Sequence, residues 1–193
     1  MLPEYFALVG SAIAVSGSLF YLYCTIKGTV KPNRVTWFFW GLFPMIGFAA
    51  QISQGVGLVV WATFVAGFIP FLVFIAATFN LKAYWEIKKI DYIFAGIGVF
   101  SLLLWYVTQN PNLALTFAVL ADFAVAVPTL LKVWNYPETE TWKTYALGTV
   151  GFGIGVLSIQ TWTYENYAFV IYLFLVNLLL ASLALRKSTP VTI

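Results

Sequence analysis

The chain has 193 residues, of which 62% are hydrophobic and only 9% are charged, with a net charge of +3. Because a soluble domain carries about 25% charged residues, this composition excludes an ordinary soluble domain and indicates a chain embedded in lipid. One cysteine, Cys24, and no histidine leave neither an internal disulfide nor the usual ligands of zinc, copper or haem, so no metal or cofactor is expected.

Seven mostly apolar stretches follow one another along the chain, each close to the roughly 20 residues that a helix needs to cross a bilayer. The N-terminal stretch lacks a basic leader region, so it is interpreted as the first span rather than as a cleavable signal peptide. The loops are short, and no soluble domain remains to carry the function. The predicted spans are 4–26, 35–54, 57–79, 91–108, 112–134, 142–162 and 166–185.

The basic residues orient this arrangement. In a seven-span chain all ten lysines and arginines fall in the loops of one side, at the span ends that border these loops, or in the C-terminal tail, and none is expected in the middle of a span. The positive-inside rule makes that side cytoplasmic, which places the N-terminus outside and the C-terminus inside. The positive net charge is therefore interpreted as a topology signal and not as a sign of nucleic-acid binding.

An internal repeat is expected because two stretches share the pattern K-x4-P-x3-T-W. They are IKGTVKPNRVTW at 26–37 and LKVWNYPETETW at 131–142, which lie 105 residues apart. This offset carries the first three spans onto the last three and leaves the fourth without a counterpart. Two parallel three-helix bundles joined by a linker helix are therefore predicted, over residues 1–82, 83–111 and 112–193.

The second copy of this turn also predicts how the next helix begins. Pro137 interrupts helix continuation, and Thr139 or Thr141 is expected to cap the helix that follows. Glu138 and Glu140 are expected to lie near the positive N-terminal end of that helix.

The stretches PTLLKVWNYPETETW (128–142) and, more faintly, YCTIKGTVKPNRVTW (23–37) resemble the repeated turn of the SWEET and PQ-loop superfamily. Pro128-Thr129 stands where that superfamily has Pro-Gln. The resemblance implies an all-α membrane protein with seven transmembrane helices in 3+1+3 order, which transports a small polar solute by rocking one bundle against the other. It also implies bending points at prolines within the spans, namely Pro44, Pro70 and Pro128.

Asp122 lies in the middle of the fifth predicted span. A lipid-exposed charge costs about 2.5–3.5 kcal/mol on insertion scales, so this side chain is expected to face the protein interior or a wet cavity. Without a cation in the spans its neutral form is favoured until the cavity opens to water, as a proton-coupling site requires. Some PQ-loop amino-acid exporters are similar in placing a functional aspartate in the fifth span. The alternative is a structural aspartate bonded to a neighbouring helix.

Four more side chains are candidates to contact the solute. Asn177 lies in the middle of span 7, where SWEET-like transporters use an asparagine, although an interhelical hydrogen bond would also explain it. Its counterpart at the repeat offset is Leu72. The other candidates are Gln51 in the outer half of span 2 and the aromatic residues Trp40 and Tyr172, whose rings offer stacking surfaces.

The expected function is transport of a small polar solute, such as a sugar or an amino acid, with Asp122 coupling protons; no enzyme activity is predicted. One alternative is a facilitator of a vitamin precursor, of the nicotinamide-riboside type. Another is a membrane receptor on the same scaffold, which would need basic residues in its cavity to bind a carboxylate. The expected partners are the solute and the lipid bilayer, without nucleic acid, and a homo-oligomer remains open.

Overall fold

The computed structural model describes residues 1–53, 60–108 and 110–186, and within these ranges it leaves out the side chains at 47, 49–53, 60–63, 105, 111, 114 and 165. The described ranges form seven α-helices and two short 3-10 helices, Leu81–Ala83 and Pro137–Thr139, and contain no strand. The all-helical fold class is therefore confirmed. The α-helices are α1 (Phe6–Lys27), α2 (Arg34–Ser53), α3 (Val60–Phe79), α4 (Lys89–Val107), α5 (Pro111–Asn135), α6 (Trp142–Leu157) and α7 (Tyr164–Leu185).

Among the residues that the structure describes, three helical stretches are long and apolar enough to cross a membrane. They are Phe6–Lys27, Leu115–Asn135 and Asn166–Leu185, and a shorter apolar helix covers Phe64–Phe79. Their length and composition support a membrane protein. The seven-span topology and its orientation stay predictions.

Contacts between the helices follow the same pattern in the two halves of the chain. In the first half α3 packs against both α1 and α2, and in the second half α7 packs against both α5 and α6. Between the halves, α1 packs along α6, and α2 contacts α5 less extensively. The fourth helix packs mainly on α5. The helices related by the offset of 105 residues therefore have corresponding neighbours.

The α1–α6 contact is close because small residues face each other. Gly10 of α1 lies against Gly151 of α6, and a Cβ atom on either glycine would collide with the backbone of the other helix. Further along α1, a Cβ atom on Gly17 would lie 2.8 Å from the carbonyl oxygen of Thr144. Small residues allow two membrane helices to approach in this way, and the approach joins the first and second halves of the chain.

The C-terminal end of α1 is fixed by a left-handed glycine and by a side chain that follows α3. Gly28 has φ 72°, and its N–H bonds the carbonyl groups of Cys24 and Thr25. Glycine adopts this conformation without the steric cost that a Cβ atom brings. The Asn80 amide donates to the carbonyl oxygens of Thr25 and Ile26 at 2.9 and 2.8 Å. The ends of α1 and α3 are thereby joined.

The sixth helix ends earlier than predicted, at Leu157 instead of 162, and has 16 residues. The Ser158 hydroxyl donates to the carbonyl oxygen of Ile154 at 2.8 Å, which competes with helix continuation. The carbonyl of Leu157 accepts from the N–H of Leu2 at 2.8 Å, and the Gln160 amide donates to the Leu2 carbonyl at the same distance. Contacts with the N-terminal residues therefore hold the segment after α6 outside the helix.

The predicted cap of α6 is wrong. Thr141 is the N-cap residue but makes no side-chain cap bond, and the hydroxyl of Thr139 donates to the carbonyl oxygen of Tyr136 at 2.7 Å instead. Glu138 is exposed, whereas Glu140 is fully buried. The backbone at Glu140 is extended (φ −125°, ψ 166°), and its buried carboxyl group accepts a hydrogen bond from the Tyr145 hydroxyl of α6.

Candidate functional site

A cavity of about 620 Å³ lies among the helices. Six of the seven helices line it, and α4 contributes none of the described lining residues. The lining residues are Ser11, Ala12, Ala14, Val15 and Ser18 of α1; Trp37, Trp40 and Pro44 of α2; Val65, Ala66, Ile69 and Pro70 of α3; Asp122 of α5; Thr144, Tyr145, Gly148 and Phe152 of α6; and Phe169, Leu173, Val176, Asn177 and Leu180 of α7.

Most of this wall is aromatic or aliphatic, and its charge comes from one residue. Asp122 is the one ionisable carboxyl among the described lining residues, and no lysine or arginine occurs among them. The uncharged polar groups nearby are already engaged in part: the hydroxyl groups of Ser11 and Ser18 donate to the backbone of their own helix. The cavity therefore combines an apolar body with a single acidic position.

Asp122 is held from two sides. The Tyr172 hydroxyl of α7 donates to its carboxyl oxygen Oδ2 at 2.5 Å, and the Trp40 side chain of α2 also interacts with the carboxyl group. Tyr172 itself lines a separate groove of about 370 Å³ between α5 and α7 and not the central cavity. The structure therefore places Tyr172 behind Asp122, where it orients the carboxyl group.

Asn177 lines the cavity and packs against α6. Its amide nitrogen donates to the carbonyl oxygen of Leu173 at 2.9 Å, and its side chain lies over Gly148, where a Cβ atom would collide with the amide oxygen. The amide oxygen of Asn177 takes no part in this hydrogen bond. A solute group in the cavity can reach the side chain from the open side.

Of the other predicted site residues, three line the cavity and two do not appear in its described lining. Trp40, Pro44 and Pro70 line the cavity. Pro128 lies within α5 and is buried, but it is absent from the lining. Gln51 lies in α2, and its side chain falls outside the described part of the structure.

One carbonyl group near Pro128 accepts a hydrogen bond from the first half of the chain. The buried Thr36 hydroxyl of α2 donates to the carbonyl oxygen of Val125 at 2.7 Å. A proline inside a helix removes the hydrogen bond to the carbonyl group four residues earlier, which is that of Ala124 here, and the Thr36 hydroxyl bonds the carbonyl group of the next residue. Pro128 therefore lies next to a polar contact between α2 and α5.

Two polar atoms of the cavity wall are buried without a hydrogen-bond partner. They are the indole nitrogen of Trp37 and the hydroxyl oxygen of Thr144, in side chains that are 3% and 6% exposed. Buried polar groups in native proteins nearly always have a partner, from the protein or from a bound molecule. The indole group of Trp37 still interacts with the Tyr21 hydroxyl, whereas the Thr144 hydroxyl is available to a molecule inside the cavity.

A buried polar cluster lies beside the cavity, at the end where α5 ends and α6 begins. We call Tyr21, Lys132, Glu140 and Tyr145 the Glu140 cluster. Lys132 forms an ion pair with Glu140, and the hydroxyl groups of Tyr21 and Tyr145 donate to the two carboxyl oxygens of Glu140 at 2.8 and 3.0 Å. Because Tyr145 also lines the cavity, the cluster forms the closed end of the cavity.

The Glu140 cluster also joins the two repeated turns. The Lys132 ammonium group donates to the carbonyl oxygen of Lys31 at 2.5 Å, and the N–H of Lys31 donates to the carbonyl oxygen of Thr139 at 2.8 Å. Trp37 stacks on Tyr21 with ring centroids 4.4 Å apart. Residues from both halves of the chain are therefore bound together at this end.

The sequence does not predict this cluster. Its charge pattern places Lys132 at the cytoplasmic rim, but the residue lies in the last turn of α5 and is buried. Lys132 and Glu140 are eight residues apart, on opposite sides of the Pro137 turn, so each resembles an ordinary loop charge. The available signal is the opposite charge of the two residues across a tight turn, because such a turn returns the chain to the same place.

The chemistry open to this site is therefore limited. An apolar cavity with one carboxyl group can bind a small molecule, a cationic group or a proton. Within the described ranges no group of three or more histidine, cysteine, aspartate or glutamate residues could hold a metal ion. In comparisons with known proteins, no family model, no curated protein and no solved structure matches the chain.

Proposed function

We propose that the chain is a membrane transporter that moves a small solute with polar groups by alternating access, on a scaffold of the SWEET and PQ-loop kind, and that Asp122 couples this movement to protons. The observation that carries the proposal is the cavity of about 620 Å³, whose described lining includes one carboxyl group and no lysine or arginine. Ligand pockets for small molecules have volumes of about 300–1,000 Å³.

The position of the cavity supports transport. Its walls come from α1, α2 and α3 on one side and from α5, α6 and α7 on the other, so a movement of one set against the other would change the access to it. The Glu140 cluster closes one end. Toward the other end the lining residues Ser11, Ala12 and Ala66 are exposed. A difference between the two ends is what alternating access requires.

Proton coupling is supported by the surroundings of Asp122. Intramembrane carboxyl groups commonly belong to proton relays. A carboxyl group on a cavity wall becomes dry when the cavity closes and wet when it opens, and burial disfavours the charged form. Proton binding at Asp122 would therefore depend on the state of the transporter, which links the proton to the solute.

The orientation belongs to the same proposal. We place the N-terminus outside and the Glu140 cluster on the cytoplasmic side of a seven-span chain, because the basic residues collect at that side. A reporter enzyme or fluorescent protein fused after Ile193 should then be active in the cytoplasm. A signal on the opposite side of the membrane would contradict this topology and with it the parallel repeat.

The receptor alternative has less support. A receptor of that kind would bind a carboxylate with basic side chains, and no basic residue occurs in the described lining of the cavity. Binding of a solute without flux in reconstituted vesicles would nevertheless favour the receptor over the transporter.

Transport in proteoliposomes tests the proposal. Purified protein is reconstituted, and uptake of labelled sugars, amino acids, amines and nucleosides is measured with and without a pH gradient. We expect at least one solute to show uptake that the gradient increases. Asp122→Asn keeps the side-chain volume and the hydrogen-bond acceptor, so it should leave exchange of that solute partly intact and lose the response to the gradient.

Glu138→Gln is the matched control, because it also neutralises a carboxyl group but lies exposed on the Pro137 turn. This variant should keep the response to the gradient. Transport by Asp122→Asn with an unchanged response to the gradient would contradict the coupling role. Absence of flux for the whole panel, with protein that is folded, would contradict transport of these solute classes.

A further inference from the structure

The charges of the cavity select for one kind of ligand. A charge that leaves water for an apolar site needs a partner there. An anionic ligand would meet the Asp122 carboxyl group and no lysine or arginine in the described lining. The Lys132 ammonium group is bound by Glu140 and by the Lys31 carbonyl group in the closed end. A cationic ligand, in contrast, would find a carboxylate with acceptor positions beyond those that Tyr172 and Trp40 use.

The walls around this carboxyl group suit a cation that carries an apolar body. The rings of Trp37, Trp40, Phe152 and Phe169 line the cavity, and aromatic rings attract ammonium groups through their faces. A sugar would need a hydrogen-bond partner for each of its hydroxyl groups, because an unpaired buried hydroxyl is costly. The few polar groups of this wall are too sparse and too engaged to supply so many partners.

A free polar group of the wall adds a second requirement. The hydroxyl of Thr144 is buried without a hydrogen-bond partner, and Thr144 lines the cavity. A threonine hydroxyl can donate a hydrogen bond. A ligand with an uncharged oxygen atom, such as a hydroxyl or carbonyl oxygen, would accept it.

We infer that the cavity binds an amine in its ammonium form that carries a ring-sized apolar body and one uncharged oxygen atom, with the ammonium group at Asp122 and the oxygen at the Thr144 hydroxyl. This inference deepens the proposed function, because it names the substrate class of the same cavity. It needs only binding to be tested, whereas the transporter proposal needs flux.

Four phenylalkyl compounds of similar size differ in charge and in their oxygen atoms, so they distinguish the effect of charge from that of the apolar body. Phenylalaninol has an ammonium group and a hydroxyl group, and 2-phenylethylamine keeps the ammonium group but lacks the hydroxyl. The alcohol 3-phenylpropan-1-ol is uncharged, and 3-phenylpropionate is an anion. Binding of each compound is measured by isothermal titration calorimetry with the full chain in nanodiscs, and the signal of empty nanodiscs is subtracted to remove partition into lipid.

Phenylalaninol should bind roughly tenfold to a hundredfold more tightly than 3-phenylpropan-1-ol, as a hydrogen bond to a charged group allows, and 3-phenylpropionate should bind most weakly. Asp122→Asn should remove the preference for the amine, and Glu138→Gln should keep it. Thr144→Val should weaken phenylalaninol by about threefold to tenfold and leave 2-phenylethylamine unchanged.

The comparison of the four compounds on the unmodified chain decides the inference even if a variant does not fold. Equal or tighter binding of the alcohol or the acid would overturn it, as would no binding by any of the four, or an amine preference that survives Asp122→Asn. Sugar uptake driven by a pH gradient, with no amine bound, would overturn the inference and leave the transporter proposal standing. Amine binding without any flux would support the inference and count against transport.

Discussion

Glu140 and Asp122 are both carboxyl groups enclosed by the helices, but their surroundings differ. Glu140 is fully buried, is paired with Lys132, and accepts hydrogen bonds from Tyr21 and Tyr145. Asp122 accepts a hydrogen bond from Tyr172, interacts with the Trp40 side chain and lines the cavity. A carboxylate surrounded by a cation and two hydroxyl donors has its acceptor positions filled by the protein. A carboxylate on a cavity wall, without a basic residue in the described lining, keeps acceptor positions for a ligand or a proton.

The protein therefore compensates for the loss of water differently at these two carboxyl groups. At Glu140 an ammonium group and two hydroxyl groups replace water, and they join both halves of the molecule at one end. At Asp122 the protein supplies only part of what water would give, so a proton or a cationic ligand completes the site. The same side-chain chemistry therefore serves as a structural joint in one place and as a candidate binding position in the other.

The largest expected effect comes from breaking the structural joint. Lys132→Met removes the ammonium group that pairs with Glu140 and should lower the free energy of unfolding by about 3–5 kcal/mol, because a buried charge loses its partner. Unfolding of the purified protein in mixed detergent micelles measures this change. The exposed Lys143→Met removes a lysine elsewhere and should change stability by less than about 0.5 kcal/mol.

A second substitution sharpens this result. Lys132→Met combined with Glu140→Gln removes both charges but keeps an acceptor for the hydroxyl groups of Tyr21 and Tyr145. Replacing a buried ion pair by neutral groups is often close to neutral in stability, so the double variant should regain at least half of the loss. Losses that simply add would show that the charges are not paired in the folded protein.

A smaller effect is expected at the contact behind Asp122. Tyr172→Phe removes the hydroxyl that donates to this carboxyl group and should cost about 1 kcal/mol of stability. In a double-mutant cycle with Asp122→Asn the coupling should be about 0.5–1.5 kcal/mol. Tyr23→Phe on the exposed side of α1 is the matched control. A coupling energy of zero would mean that the Tyr172 hydroxyl does not stabilise the Asp122 carboxyl group.

The smallest effect on stability is expected from Asp122→Asn itself. The amide keeps an acceptor for the Tyr172 hydroxyl, and no lysine or arginine of the described cavity lining loses a partner, so the change should stay within about 1 kcal/mol. Detergent unfolding under the conditions used for Lys132→Met gives the direct comparison. A loss equal to that of Lys132→Met would mean that Asp122 stabilises the fold to the same extent as the ion pair at Glu140.

Acidity should affect ligand binding at Asp122 in one direction. A proton and an ammonium group compete for the same carboxylate, so affinity for phenylalaninol should fall as the pH is lowered and rise as it is raised, while the amine remains charged. Calorimetric titrations across a pH series measure this dependence. Asp122→Asn should bind with an affinity that does not change with pH, and a dependence that persists in this variant would place the competing group elsewhere.

The sequence is sufficient to predict the position of Asp122 inside the protein, because a single carboxyl group in an apolar helix has few stable environments. It is equally sufficient for the long apolar stretches that form α1, α5 and α7. It fails at the end of α6, where contacts between Leu2 and residues 157–160 stop the helix, and such contacts depend on the folded structure. It fails at Lys132 and Glu140 for the same reason, because a short turn brings these two residues together only when the helices pack.

Infrared difference spectroscopy of the protein in lipid, between acidic and alkaline pH, tests most directly whether Asp122 exchanges a proton while Glu140 remains in its ion pair. If Asp122 exchanges a proton, we expect a carbonyl band of a protonated carboxyl group that is lost on raising the pH and on adding phenylalaninol. This band should be absent from Asp122→Asn and retained in Glu138→Gln. A spectrum of Asp122→Asn identical to that of the unmodified chain, or a band that neither pH nor the amine changes, would contradict proton exchange at Asp122.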